Sequence, residues 1–208
     1  MTNENSAQKI VSLTTASPAA PSAEGLAKAA RAAGKGRGPA PVHLWTPDFC
    51  GDLDIRIAKD GQWYYLGTPI GRAPLVTLFA NILKREGDSY FLVTPAEKVG
   101  IRVDDAPLFV LDLEVEGEGA AQNVRLFTKT GDEVTVDADH ALRVVRDAGT
   151  DEPSPYVHVR SGLEARIDRK TFYRLVDLGT TEPRDGTLWF GLWSAGCFFP
   201  IIPSAELT

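Results

Sequence analysis

Histidine, cysteine and methionine are scarce in this 208-residue chain, at three, two and one. That scarcity removes several chemistries at once. There is no CxxC and no HxxxH spacing, so a structural zinc site is not expected. Cys50-Gly51-Asp52-Leu53-Asp54 offers one soft and two hard ligands on alternating positions, but it reads better as an exposed acidic strand edge. His43, His140 and His158 are scattered, and none has a neighbouring Asp that marks it as part of a catalytic triad. A Cys–His pair built on Cys50 or Cys197 has no local support. Both cysteines are expected to be small buried hydrophobes. Trp193-Ser194-Ala195-Gly196 resembles a nucleophile elbow, but Leu192 stands where that motif needs glycine. Lys35 follows Gly34, yet Gly36 comes next and the upstream spacing is wrong for a phosphate-cradling loop. No dinucleotide fingerprint is present. No catalytic residue, metal or cofactor is therefore expected.

Long apolar runs are also missing. The longest, Leu188–Pro203, is interrupted by Gly, Ser and Pro and falls short of a membrane span. The opening MTNENSAQKIVSLTT lacks a basic segment followed by an apolar core. The expectation is a cytoplasmic protein without membrane contact, its thiols reduced. A disulfide between Cys50 and Cys197 is the lesser alternative.

What is present is an ordinary globular balance, 43% hydrophobic and 24% charged, with 19 glycines and 14 prolines that imply many short elements. The net charge of −6 is uneven. Residues 1–40 hold five basic side chains against Glu4 and Glu24, a net of +3, which leaves −9 on the rest. An acidic body weighs against broad binding to a phosphate backbone, although a local basic groove is compatible with it.

Residues 1–21 read as a disordered tail. Ser22 suits the cap of a short helix, AEGLAKAARAA, whose one large apolar residue is Leu26, so that helix needs a surface to dock on. GKGRGPAP is a loop. Leu53, Ile55 and Ile57 alternate with polar residues as a half-buried strand does. Asp60-Gly61 signals a two-residue hairpin to Gln62–Leu66. That register sets Trp63 and Tyr65 on the polar face with Arg56. Pro74 suits a first helical turn, and Leu75, Leu78, Phe79, Ile82 and Leu83 form a stripe ending in Lys84, Arg85 and Gly87. Strands are expected at Tyr90–Thr94, Val99–Val103, Leu108–Val115, Val124–Thr128, Glu133–Val136 and Leu142–Val145. DAGTDEPSP, residues 147–155, is the best linker. Strands at Tyr156–Arg160 and Leu163–Ile167 follow, then a helix capped by Asp168 with Phe172, Leu175 and Val176 on one face, and a strand at Leu188–Trp193.

Residues 62–93 and 156–192 align, with Ile70-x-Arg72 matching Ile167-x-Arg169 before each helix. The reading is a duplicated strand–helix–strand unit in an α+β fold of two β-rich halves. The expected division is 1–40 as a tail with the short helix, 41–105 as the first half and 106–208 as the second.

Arg72 and Arg169 sit where a helix dipole disfavours a cation. Each should reach a negative group: internally Asp104, Asp105 or Glu164, or else an anion of a ligand or partner. Glu97 and Lys98, in a turn of mixed charge, are either a solvated loop or a recognition edge. Trp45, Trp63, Tyr65 and Trp193 form an aromatic set that reads as packing or as a binding hot spot.

The stretches PVHLWTPDFCGDLDIRIAKDGQWYYLGTPIGR, YFLVTPAEKVGIRVDDAP, TKTGDEV, PYVHVRSGLEARIDRKTFYRLVDLG and FGLWSAGCFFP together resemble a bacterial family, domain of unknown function 1285. The resemblance runs from Pro41 to Pro200. It implies a duplicated α+β unit whose C-terminal half looks like a pleckstrin-homology-type barrel. It also implies a signalling or regulatory role with a macromolecular partner. Lys129 and Ala141 depart from the expected Asn and Pro. The functional expectation is a non-catalytic binding or regulatory module with a protein partner. An enzyme with an unfamiliar polar site between the halves is the alternative, and nucleic acid is a less favoured partner.

Overall fold

The computed structural model describes residues 21–33, 38–146, 149 and 152–207. The disordered-tail reading, apart from Pro21, and the first half of the GKGRGPAP loop lie outside those residues.

Helix α1 (Ala23–Ala33) forms where expected. The Ser22 hydroxyl accepts from the Gly25 N–H at 3.1 Å, capping the first turn. Leu26, Ala27 and Ala30 are buried against the second helix.

Strands β1 (Phe49–Ile57), β2 (Trp63–Tyr65) and β3 (Thr68–Pro69) form one meander. Helix α2 (Ala73–Asn81) leads to a second, made of β4 (Leu83–Glu86), β5 (Ser89–Val93) and β6 (Lys98–Val103). β1 and β6 lie side by side in parallel, giving a sheet of order β3-β2-β1-β6-β5-β4.

The second half repeats this plan. β7 (Leu108–Glu116), β8 (Asn123–Thr128) and β9 (Glu133–Thr135) form a meander, as do β10 (Leu142–Arg146), β11 (Pro153–Arg160) and β12 (Leu163–Ile167). The order is β10-β11-β12-β7-β8-β9, with β7 and β12 the parallel pair. Helix α3 (Arg169–Asp177) follows, capped by the Asp168 carboxylate on the Thr171 N–H at 2.7 Å. A third antiparallel sheet closes the chain: β13 (Thr180–Arg184), β14 (Thr187–Ser194) and β15 (Cys197–Pro203).

One core joins all of this. It runs from Leu26 through Ile55, Trp63, Phe79 and Leu92 to Val110, Leu126, Leu163, Leu175 and Leu192. The fold is α+β in two β-rich halves.

Five expectations need correction. The first hairpin turns through three residues. Ala58 and Gln62 face each other across a backbone hydrogen bond, and Gly61 takes φ +74°. Ile57 therefore pairs with Trp63, which carries Trp63 to the core face. A Cβ on Gly61 would stand 2.7 Å from the Phe109 side chain, so the turn is pressed against the second half.

The second helix is shorter than its stripe. Ile82 and Leu83 satisfy a helical period and a strand period equally. Pairing of Leu83–Glu86 with β5 decides the matter, so Lys84 and Arg85 are strand residues. Residues 147, 148, 150 and 151 of the segment read as a linker lie outside the described residues; its flanks Arg146 and Pro153 are ladder partners in one sheet, so the segment joins two strands of that sheet rather than two domains. The repeating unit is a six-stranded sheet, and α2 lies inside the first copy while α3 follows the second. Arg72 and Arg169 are thus not equivalent positions.

Cys50 is exposed rather than buried; both cysteines are free thiols. Ser194 is no elbow nucleophile. It is fully buried in a hairpin strand and its hydroxyl accepts from the Val124 N–H at 2.9 Å. Among the described residues no helix is long and apolar enough to cross a membrane, and no group of three His, Cys, Asp or Glu is placed to hold a metal.

Candidate functional site

The residues singled out from sequence do not converge on one place. Trp63 is 2% exposed and stacks on Phe79 with ring centroids 6.4 Å apart, so it is a core residue and not part of a surface aromatic set. Trp45 is half-buried beside a 3-10 turn and packs on the core. Trp193 lies on the third sheet. Its indole N–H donates to Glu182 at 3.1 Å and its ring tilts against Phe198.

Glu97 closes a tight turn in which the buried Thr94 hydroxyl accepts from the Ala96 and Glu97 N–H groups. Lys98 reaches Glu86 at 2.5 Å and lies over the Phe91 ring at 4.2 Å. That ammonium, together with Lys84, holds the Glu86 carboxyl below its ordinary range. Lys98 is spent within the fold.

The two arginines differ. Arg169 opens α3, and its Nε donates to the Tyr173 hydroxyl one turn on, at 2.9 Å. Its guanidinium lies 4.0 Å from Glu152. It borders a cleft of about 470 Å³ where the β1–β2 turn, with Lys59 and Asp60, meets the start of α3. Two polar groups of that cleft are already committed. Arg166 binds Asp105 at 2.5 Å, and Asp168 caps the helix.

Arg72 behaves otherwise. The three carboxylates expected to receive it are occupied. Asp104 is held by Arg56, Asp105 by Arg166 and the Tyr156 hydroxyl, and Glu164 by a two-pronged contact from Arg143 at 2.7 Å. Arg56 keeps the Asp104 carboxyl below its ordinary range, chiefly by hydrogen bonding. Arg72 caps α2 with its backbone alone: its carbonyl accepts from Leu75 at 2.9 Å and Val76 at 3.3 Å, and no side-chain capping bond forms. Among the described residues its exposed guanidinium meets no carboxylate within ion-pair distance. The expected internal pair for Arg72 does not exist.

Instead Arg72 lines a groove of about 410 Å³ between α1, α2 and β2. Ala23, Ala27, Leu75 and the Tyr65 ring give it an apolar lining; Glu24, Arg31 and Arg72 supply charge. Tyr65 and Arg72 are the two sequence candidates that the fold unites. Arg31 and Glu24 were missed. Their signal was the spacing of 24, 27 and 31, which puts them on one face of α1. β2 ends in a Leu66-Gly67 turn in which Leu66 takes φ +49° while its side chain stays 64% exposed. A left-handed, solvent-facing leucine is a costly choice where Asn or Gly would serve.

Residues 40–106 match the N-terminal domain of domain of unknown function DUF1285, and residues 107–201 match the C-terminal domain of the DUF1285 protein of unknown function. Among solved structures, a DUF1285 family protein from Silicibacter pomeroyi DSS-3 is 57% identical, with a TM-score of 0.80 over 88% of this chain and 97% of that one. Another, from Shewanella baltica OS155, is 31% identical with a TM-score of 0.47, covering 60% of this chain and 91% of that one. No curated protein matches the chain.

Proposed function

The chain belongs to the DUF1285 family, and from that premise we propose that it is a non-catalytic binding module in a regulatory or signalling role. It acts in the cytoplasm and recognises a protein partner through the groove between α1 and α2. The observation that carries this reading is the unpaired guanidinium of Arg72 at the head of α2. A cation there gains nothing from the helix dipole. Arg56, Arg143 and Arg166 each meet a carboxylate of the fold, whereas the donors of Arg72 are left for an anion that a partner would bring.

The C-terminal half supports the regulatory reading in a weaker way. Its largely antiparallel sheet is followed directly by a helix packed on β7, which is the arrangement a pleckstrin-homology-type module would use. Nucleic acid is disfavoured by the net −9 of residues 41–208.

The test is Arg72→Ala. Its melting temperature should stay within about 1 °C of wild type, since a loss of 1 kcal/mol moves a protein of this size by about 2–4 °C. In affinity capture from lysate of the source cells, a protein retained by the wild type should be lost. A Tm drop of several degrees, or capture that Arg72→Ala leaves intact, overturns the proposal.

A further inference from the structure

We infer that the groove between α1 and α2 receives a phosphorylated side chain of the partner protein. This rests on the binding reading above and names the chemistry of the same site.

Two arginines line the groove, one at the last turn of α1 and one at the first residue before α2. Neither makes a side-chain hydrogen bond or ion pair with another described residue. Each keeps its planar fork of donors available, the geometry that suits phosphate and carboxylate oxygens. Tyr65 adds a hydroxyl donor and an aromatic wall. One carboxylate, Glu24, faces the same space.

Charge decides between the two anions. The arginines bring +2 and Glu24 brings −1; the positive end of α2 adds about +0.5. The groove therefore presents between +1 and +2. A carboxylate carries −1 and would leave it under-neutralised. A phosphomonoester carries about −1.5 to −2 near neutrality. Its three oxygens can also serve two guanidinium forks at once, which a carboxylate serves less well. The apolar lining of Ala23, Ala27 and Leu75 gives the carbon stem of a modified side chain somewhere to lie.

Glu24 makes the inference separable from a general need for positive charge. It repels a dianion, so removing its charge should improve binding. Damage to the fold cannot mimic that gain.

The test is a titration of the full chain, followed by amide shifts of Arg31, Ala73 and Leu75 and by calorimetry. Four probes are used: degenerate peptide libraries centred on phosphoserine, phosphothreonine or phosphotyrosine; the same libraries unphosphorylated; a Glu-centred library; and inorganic phosphate. At least one phosphopeptide library should bind. Arg72→Ala and Arg31→Ala should each weaken it at least 10-fold, and Arg72→Lys should weaken it less. Glu24→Gln should strengthen it about 2–5-fold, the worth of an exposed charge contact. Binding should fall as pH drops through about 6, where the second phosphate proton returns.

Equal binding of the Glu library overturns the phosphate assignment and leaves the partner reading standing. Inorganic phosphate binding as tightly as the peptides overturns the partner as its source. A silent groove with all four probes overturns the inference. An Arg72→Ala protein that melts several degrees low overturns the binding reading beneath it.

Discussion

At the scale of single residues, Trp63 shows how one turn residue redirects a side chain. Alternation in Leu53, Ile55 and Ile57 was plain in the sequence and marks the buried face. The parity of the partner strand depended on whether Asp60-Gly61 turns the chain in two residues or three. Gly61 adopts a left-handed φ against Phe109, a tertiary contact that no local pattern encodes. Trp63→Ala should therefore behave as a core truncation and cost about 3–5 kcal/mol. Urea unfolding measures it, and a loss under 1 kcal/mol would return Trp63 to the surface set. Glu164 gives the acid counterpart. Hydrogen bonds from Arg143, then its charge, pull its carboxyl below 4.5, against partial burial. A depressed carboxylate contributes stability that is complete above the unfolded value and lost as pH falls through the folded one. Glu164→Gln should thus flatten the decline in stability below about pH 4.5 while leaving its slope near pH 7 unchanged. An acid limb identical to wild type would contradict this.

At the scale of elements, α1 and α3 were legible because each carries its own punctuation. Ser22 and Asp168 cap them, and both caps are made. α2 was half legible. Its start is set by Pro74, but its end depended on Leu83–Glu86 pairing with β5, which lies further along the chain. Strand β13 went unread because Thr180–Arg184 has no apolar alternation; its ladder with β14 defines it. The groove was legible only in part. Arg72 was conspicuous in the sequence, whereas its company depended on where α1 docks. α1 precedes the family-matched region, which begins at residue 40. Leu26 is its single large anchor and is fully buried. Leu26→Ala should release α1 locally, because 11 residues do not hold a helix alone in water. Hydrogen exchange should show lost protection across Ala23–Ala33 with the strands of all three sheets unaffected. Uniform loss throughout the sheets would show instead that α1 is part of the global cooperative unit.

At the scale of the whole molecule, the joint between the halves rests on the tip of the β11–β12 hairpin. Arg160 donates through Nη2 to the Ala80 carbonyl at 2.9 Å, in the last turn of α2. A cation belongs there, since the carbonyl end of a helix is its negative pole. Its Nε lies 3.3 Å from Asp132, but misaligned, so the contact is ionic and both Nε and Nη1 lack a hydrogen-bond acceptor. Burial lowers the Arg160 pKa and Asp132 offsets part of that. Arg85 adds a second link across the joint, to the Gly162 carbonyl at 3.1 Å. A buried ion pair half-satisfied in this way adds little over an apolar pair, yet breaking it strands the remaining charge. Arg160→Met should accordingly cost about 3–5 kcal/mol, with the Asp132 carboxylate left among the Thr128 and Thr130 hydroxyls. Adding Asp132→Asn in that background should return part of the loss, because the orphaned charge is gone. Both proteins should still melt in one transition, since a single core runs from Leu26 to Leu192 across the joint. Two resolved calorimetric transitions in the single variant would mean that Arg160, rather than the shared core, couples the halves. Full additivity of the two substitutions would mean that Arg160 and Asp132 do not act as a pair.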